Sequence, residues 1–304
     1  MTWVVFCLFL PLIAWGQREI KPCQQMPAFV RTLGFDPEWT ALSTSEKNKM
    51  GLALVVYQKQ ENATKPLPNG PRQTVYQDPA WKEAGYLASI TTDFNGNIYT
   101  VPAPRITLQF NPMEKRNTLY RIEGSTGRMS AFYRFPANPD NGLRNPFGLL
   151  GLHYDCSSDQ LVVSDLSGSG RQQEKGKIYL LNVKDKKIVD VYPQVDALGL
   201  YVAYDENEKK RIYFGSSRSS KVFSMLYAKN GKWDRQSLRL EVNLNGLGPN
   251  GDDKAKKIRM NDGELIVSGI AFEYNLQAAS EKPETHYHFR WNPNKKSWQL
   301  IDWQ

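Results

Sequence analysis

Five oxygen-bearing side chains recur at one place along the chain. Asp36, Glu83, Asn145, Asp196 and Asp252 each stand nine or ten residues before a polar turn, the turns falling near positions 45, 93, 155, 205 and 261. Carboxylate and amide oxygens are what a hard cation such as Ca²⁺ prefers, about six to eight of them at a time. If the five turns are equivalent points of a repeated unit, these side chains gather at one rim as a candidate ligand or cation site. Asp253 joins them, because the loop NGLGPNGDDKAKK (245–257) runs straight into the next apolar segment. That loop either lines the rim or is a solvated connection. The competing use of the same residue types is structural: Asp and Asn open strands and turns by accepting hydrogen bonds from free backbone donors.

Other chemistry is sparse. The three histidines are His153, His286 and His288. His286 and His288 are two apart in an apolar run, so on a strand they share one face. Such a pair needs a third ligand to hold Zn²⁺, and the interleaved Tyr287 and Phe289 place it between sheets or at a rim. No histidine accompanies a Gly-x-Ser-x-Gly nucleophile elbow. The stretch SGSGR (167–171) is glycine-rich, but no helix follows to present its dipole to a phosphate, so it reads as a loop. The turns DFNGN and DENE do not match the EF-hand spacing. Catalytic residues are therefore left unassigned.

The elements that would position such a site are short strands. In DALGLYVAYDENEKKRIYFGSSRSSKVFSM (196–225), Leu200–Tyr204, Ile212–Gly215 and Val222–Met225 are extended runs with a polar turn after each of the first two. The order repeats upstream, with Leu152–Tyr154, Leu161–Val163 and Ile178–Leu181, and again around the turn at 93–97, with a third strand at Leu119–Ile122. Downstream it returns at the turn Asn261-Asp262-Gly263, and a poorer copy, TALSTSEKNKMGLALVVYQ, begins at residue 40. The steps stay near the ~40–50 residues of a propeller blade with its loop. A four-stranded sheet with short loops cannot bury both faces alone, so such units stack around an axis. A β-sandwich also uses short strands but predicts no self-similarity at this period. The expectation is an all-β propeller with five countable blades and one short helix candidate, Asp36–Lys49.

The segment GLYVAYDENEKKRIYFGSSRSSKVFSM resembles blades of the propeller group comprising the NHL, gluconolactonase-like (senescence-marker) and yellow/royal-jelly proteins, over residues of about 85 to 300. The resemblance implies six blades, the sixth to come from residues 17–40 and the closing strand. It also implies a divalent metal held near the axis by Glu, Asn and Asp, which fall here on Glu83, Asn145 and Asp196. The motif around the group's first Glu has no match in this chain.

Compartment and partners follow from composition. Residues 3–15 are apolar, about half of the ~20 a membrane-spanning helix needs, and Ala14-Trp15-Gly16 is a small-residue site. This reads as a secretory signal over 1–16 cleaved before Gln17, although no Lys or Arg precedes the apolar run. An N-terminal arm (17–38) and one propeller domain (39–304) remain. Cys7 leaves with the signal, and Cys23 and Cys156 either pair in an oxidising compartment or stay separate thiols. Asn62-Ala63-Thr64 is a glycosylation sequon. The 39 basic against 31 acidic residues give a net charge of +8, which favours polyanions over cations in the far field. The lysines scatter through turns, and no aromatic stacking platform for nucleic acid is present. The reading is a secreted, monomeric binding or scaffold propeller without a membrane span, taking a small molecule, glycan or Ca²⁺ at the channel mouth. The alternatives are a metal-dependent lactonase or esterase and a polyanion-binding surface protein.

Overall fold

The computed structural model describes residues 25–45, 49–57, 73–104, 107–136, 145–276 and 283–304. The proposed signal segment, Cys23 and the sequon lie outside them. The described strands form five antiparallel sheets, each made from consecutive strands. Blade 1 holds β1 (Thr40–Ser43), β2 (Ala53–Tyr57) and β3 (Gln73–Tyr76). Blade 2 holds β4 (Leu87–Thr92), β5 (Ile98–Pro102), β6 (Thr118–Ile122) and β7 (Met129–Arg134). Blade 3 holds β8 (Leu149–Asp155), β9 (Gln160–Asp165), β10 (Lys177–Asn182) and β11 (Ile188–Pro193). Blade 4 holds β12 (Ala197–Tyr204), β13 (Lys210–Ser216), β14 (Lys221–Tyr227) and β15 (Trp233–Asn243). Blade 5 holds β16 (Lys254–Asn261), β17 (Glu264–Ile270), β18 (Thr285–Asn292) and β19 (Ser297–Trp303). The first strands of all five border one cavity, so the sheets stand around a common axis. The chain is a β-propeller, and its described residues form five blades rather than the six implied by resemblance.

Turn chemistry sets the hairpins nearest the axis. Asp93 Oδ1 accepts from the backbone N–H of Asn95 and Asn97, and Asp205 Oδ1 from those of Asn207 and Lys209. Asp155 Oδ1 takes the N–H of Ser157 in the equivalent turn. Each carboxylate satisfies donors that a tight reversal leaves unpaired. The expected helix over 36–49 is absent in its described part. Asp36 caps a single 3-10 turn, Pro37–Trp39, and the chain then enters β1. Pro37 suits a first helical position but the following Thr40-Ala41-Leu42-Ser43 pairs with β2 instead.

The core lies between blades. Tyr99, Leu119, Tyr154 and Leu161 are buried between blades 2 and 3, Ile178, Leu180, Ile212 and Phe214 between blades 3 and 4. Tyr213, Val222, Ile258, Val267 and Tyr287 fill the space between blades 4 and 5. Between blades 1 and 2, Leu54, Ile98 and Ile122 meet Trp81 and the Phe29 and Val30 side chains of α1 (Ala28–Thr32). Among the described residues no fifth cluster joins blade 5 to blade 1. There β16 buries Ala255, Ile258 and Met260 against blade 4, and its strand alternation turns Lys257, Arg259 and Asn261 the other way.

Neighbouring sheets touch through backbone where a side chain is missing. A Cβ on Gly151 would lie 2.3 Å from the carbonyl oxygen of Leu198, and one on Gly215 would lie 2.4 Å from that of Ala255. The Gly215→Ala variant must therefore push blades 4 and 5 apart. We expect it to lose about 1–3 kcal/mol of stability, read as a lower midpoint in urea denaturation. An unchanged midpoint would mean that this contact does not hold the two blades.

Candidate functional site

Four of the five axial strands carry one extra residue at the same level. Pairing jumps between Leu87 and Ile90 in β4, between Leu149 and Leu152 in β8, between Ala197 and Leu200 in β12, and between Ala255 and Lys257 in β16. A bulge frees a side chain from the pleat and re-aims it. The freed residues are Ala88, Leu150, Leu198 and Lys256, and all four line an opening at the end where the axial strands begin. This vestibule measures about 330 Å³, and Tyr86, Phe147 and Phe272 add apolar wall. Phe147 and Phe272 lie 5.5 Å apart, ring centre to ring centre.

Beyond the vestibule lies the axial cavity of about 710 Å³. Its wall is mixed: Thr44, Ser89, His153 and Arg259 border it beside Leu152 and Val202. Thr44 donates to the Ala88 carbonyl across blades 1 and 2 (2.6 Å). Lys256 and Lys257 share Glu284, at 2.6 Å and 3.3 Å. Burial opposes the charge on Glu284, but hydrogen bonds from the two lysines and their charges outweigh it and hold the carboxyl below its ordinary value. Arg259 is exposed to the cavity and has no ion-pair or hydrogen-bond partner among the described residues. The His153 ring packs on Tyr201 (4.9 Å between centres) and makes no hydrogen bond among the described residues. Burial drives its pKa down to about 4, against the opposing pull of Asp155 and with help from the Lys210 cation, so the imidazole is neutral at pH 7. Asp155 is the single carboxylate bordering this cavity among the described residues. Its oxygens already take the Ser157 N–H and Oγ, the Ser158 Oγ at 2.5 Å, and the Lys210 ammonium.

The residues singled out by spacing are elsewhere. None of Asp36, Glu83, Asn145, Asp196, Asp252 and Asp253 borders either cavity. Glu83 is exposed on a 3-10 turn, Pro79–Ala84, and Asp252 is exposed beside Lys254. Asn145 is buried, donating to the Leu166 carbonyl (2.7 Å) and accepting from the Phe147 N–H (2.9 Å). Asp253 is buried and accepts from Asn250 and Tyr287, each at 2.9 Å. Asp196 is wholly buried and saturated. One oxygen takes Ser169 Oγ (2.5 Å) and the Gly176 N–H (2.9 Å), and the other takes Arg218 Nε (2.9 Å) and Tyr274 Oη (2.6 Å). Arg218 also donates to the carbonyls of Gly170, Arg171 and Gln173, which pins the SGSGR loop. The implied metal set of Glu83, Asn145 and Asp196 does not fit a divalent cation. One member is on the surface, one spends its oxygen on backbone, and the third already faces a guanidinium. No group of three or more His, Cys, Asp or Glu suited to a metal occurs among the described residues. His286 and His288 do share a face, as read from the sequence, but Ser268 engages one (3.0 Å) and Glu264, itself bound to Arg290, approaches the other (3.5 Å).

Apart from His153 and the end of the 245–257 loop, where Lys256 and Lys257 border both cavities, sequence reasoning passed over the residues that line them. One signal for them was present: the tetrads Leu87-Ala88-Ser89-Ile90, Leu149-Leu150-Gly151-Leu152 and Ala197-Leu198-Gly199-Leu200 break alternation with a small residue just inside each axial strand, which marks a bulge.

No known family model matches this chain, and no curated protein matches it. Solved structures resemble it loosely. A calcium-binding regucalcin from Agrobacterium tumefaciens is 12% identical, over 95% of this chain and 77% of that one, with a TM-score of 0.48. A putative 6-phosphogluconolactonase from Bacteroides fragilis is 15% identical, over 87% and 67%, with a TM-score of 0.47. The propeller domain of a Pyrococcus furiosus protease, described as having an open velcro topology, is 9% identical, over 86% and 72%, at 0.37. The chain resembles propellers of several unrelated activities, and a fold shared that widely assigns none of them.

Two measurements test this geometry. Arg218→Ala leaves the buried Asp196 carboxylate without its cation, and we expect a loss of about 3 kcal/mol in chemical denaturation; a loss within experimental error would show that the network holds nothing. His153 binds its proton more weakly folded than unfolded, so the unfolded state gains protons as pH falls from about 6.5 to about 4 and stability falls with it. In His153→Gln the decline of the melting midpoint across that window should be shallower than in the native chain; parallel curves would remove the assignment.

Proposed function

We propose that this protein is a secreted binding propeller that takes a small organic anion into its axial cavity. The observation that carries the reading is Arg259, a cation in the cavity wall that no acid among the described residues neutralises. A guanidinium offers a planar fork matched to carboxylate, and in a partly enclosed cavity such a pair is stronger than at the surface. His153, neutral and without a hydrogen-bond partner among the described residues, adds a hydrogen-bonding ring that repels neither charged nor neutral parts of a ligand. Serine and threonine hydroxyls supply further donors. The acids that would attract a cation instead are consumed, Asp155 by serines and Lys210, Glu284 by two lysines.

A metal-dependent lactonase would need oxygen ligands near the axis and a carboxylate free to activate water. Asp196 and Asp155 both have their oxygens engaged, so we derive no hydrolytic step. Binding of a long polyanion is also less well supported, because exposed arginines such as Arg171, Arg235 and Arg290 are paired with Glu273, Asp190 and Glu264. Secretion is in keeping with Cys156, which is disulfide-bonded; the chain's two other cysteines lie outside the described residues, and Cys23 is the partner we propose. Disulfides persist mainly in oxidising compartments.

The test is titration calorimetry with short carboxylates such as propionate, succinate and citrate, on the native chain and Arg259→Gln. We expect binding to weaken about tenfold or more in the variant, the scale of a lost charge-assisted hydrogen bond, and to be indifferent to added Ca²⁺. Equal affinities in the two proteins, or no carboxylate binding at all, would end the proposal.

A further inference from the structure

The two cavities adjoin and differ in chemistry. Thr44, Ser45, Ala88, Ser89, Lys256 and Lys257 border both, so they form a collar between the apolar vestibule and the interior that holds Arg259. On the vestibule side, Leu150, Leu198, Phe147 and Phe272 present carbon, and the partly exposed Phe147 and Phe272 leave apolar surface open to a ligand. On the interior side stand Arg259, His153 and hydroxyls. Resting on the anion-binding reading above, we infer that the ligand is amphipathic: a carboxylate head seated at Arg259 and an aryl or alkyl body held in the vestibule. A wholly polar anion would leave the Leu150 and Phe272 surface wet, and a wholly apolar ligand would bury Arg259 without a counter-charge. Only a molecule with both ends satisfies both regions.

The strand itself is the ruler. Lys256 at the collar and Arg259 are three residues apart on β16, a separation of about 10 Å at the rise of an extended strand. The head group must therefore be separated from the apolar body by a spacer of comparable length. The two lysines at the collar share Glu284, which offsets one of their two charges and holds both ammonium groups to the side of the passage, where a methylene chain can run past them.

The experiment uses the full chain and a series of ω-phenylalkanoates, from phenylacetate to 6-phenylhexanoate, each compared with the matching alkanoate lacking the ring. Affinity should rise with spacer length and pass through a maximum once the ring clears the collar, where the phenyl compound binds at least tenfold tighter than its ring-less partner. In Phe272→Ala, and separately in Leu150→Ser, that ring-dependent gain should shrink while propionate binds as before; melting curves establish that the variants fold. Arg259→Gln should weaken the whole series by one common factor. Ring-bearing and ring-less acids of equal affinity, or a gain unaltered in both vestibule variants, would overturn the amphipathic assignment while leaving anion binding in place. No binding by any member would remove the anion reading and this inference together.

Discussion

Five twisted sheets can share an axis only if their innermost strands approach to backbone distance. In this chain that approach is bought with missing side chains. Gly151 lies under the Leu198 carbonyl, Gly199 under the backbone of Ala255 and Lys256, and Gly215 against Ala255. These contacts set the spacing of blades 3, 4 and 5. They bring the large buried side chains, such as Tyr154, Tyr213 and Tyr287, into the layers between blades. They also keep the central space narrow enough that side chains from all five blades border a single cavity.

Much of the architecture was legible because it rests on local chemistry. An aspartate at the turn, small or polar residues beyond it and apolar residues on either side are short-range signals, and they marked the hairpins at 93, 155, 205 and 261 correctly. The count of five blades followed from them. The sixth came from resemblance and had no local signal behind it. The helix expected after Asp36 failed for a related reason: its composition tolerates a helix, but pairing with β2 is a long-range gain that no window of the sequence contains.

The site was far less legible, and the reason is physical. Asp196 and Asp252 are identical residue types at equivalent spacings. One is wholly buried and the other is exposed. What separates them is the donors that the fold delivers from a distance: Arg218 is 22 residues from Asp196 and Tyr274 is 78 away. An acid can serve a ligand only with oxygens the protein has left unclaimed, and spacing does not report which oxygens are claimed. Arg259 is the converse. It looks like any surface arginine in sequence and matters because the side of β16 facing away from blade 4 has no acid paired with it among the described residues.

The bulges carry a consequence for how such a molecule can change. Ala88, Leu150, Leu198 and Lys256 sit outside the regular ladder pairing of their strands, so exchanging their side chains leaves the backbone pairing of the sheets in place. Frame and lining are thereby written in separate letters of the sequence. Descendants of this chain could acquire new ligand preferences through four positions while every blade stays as it is.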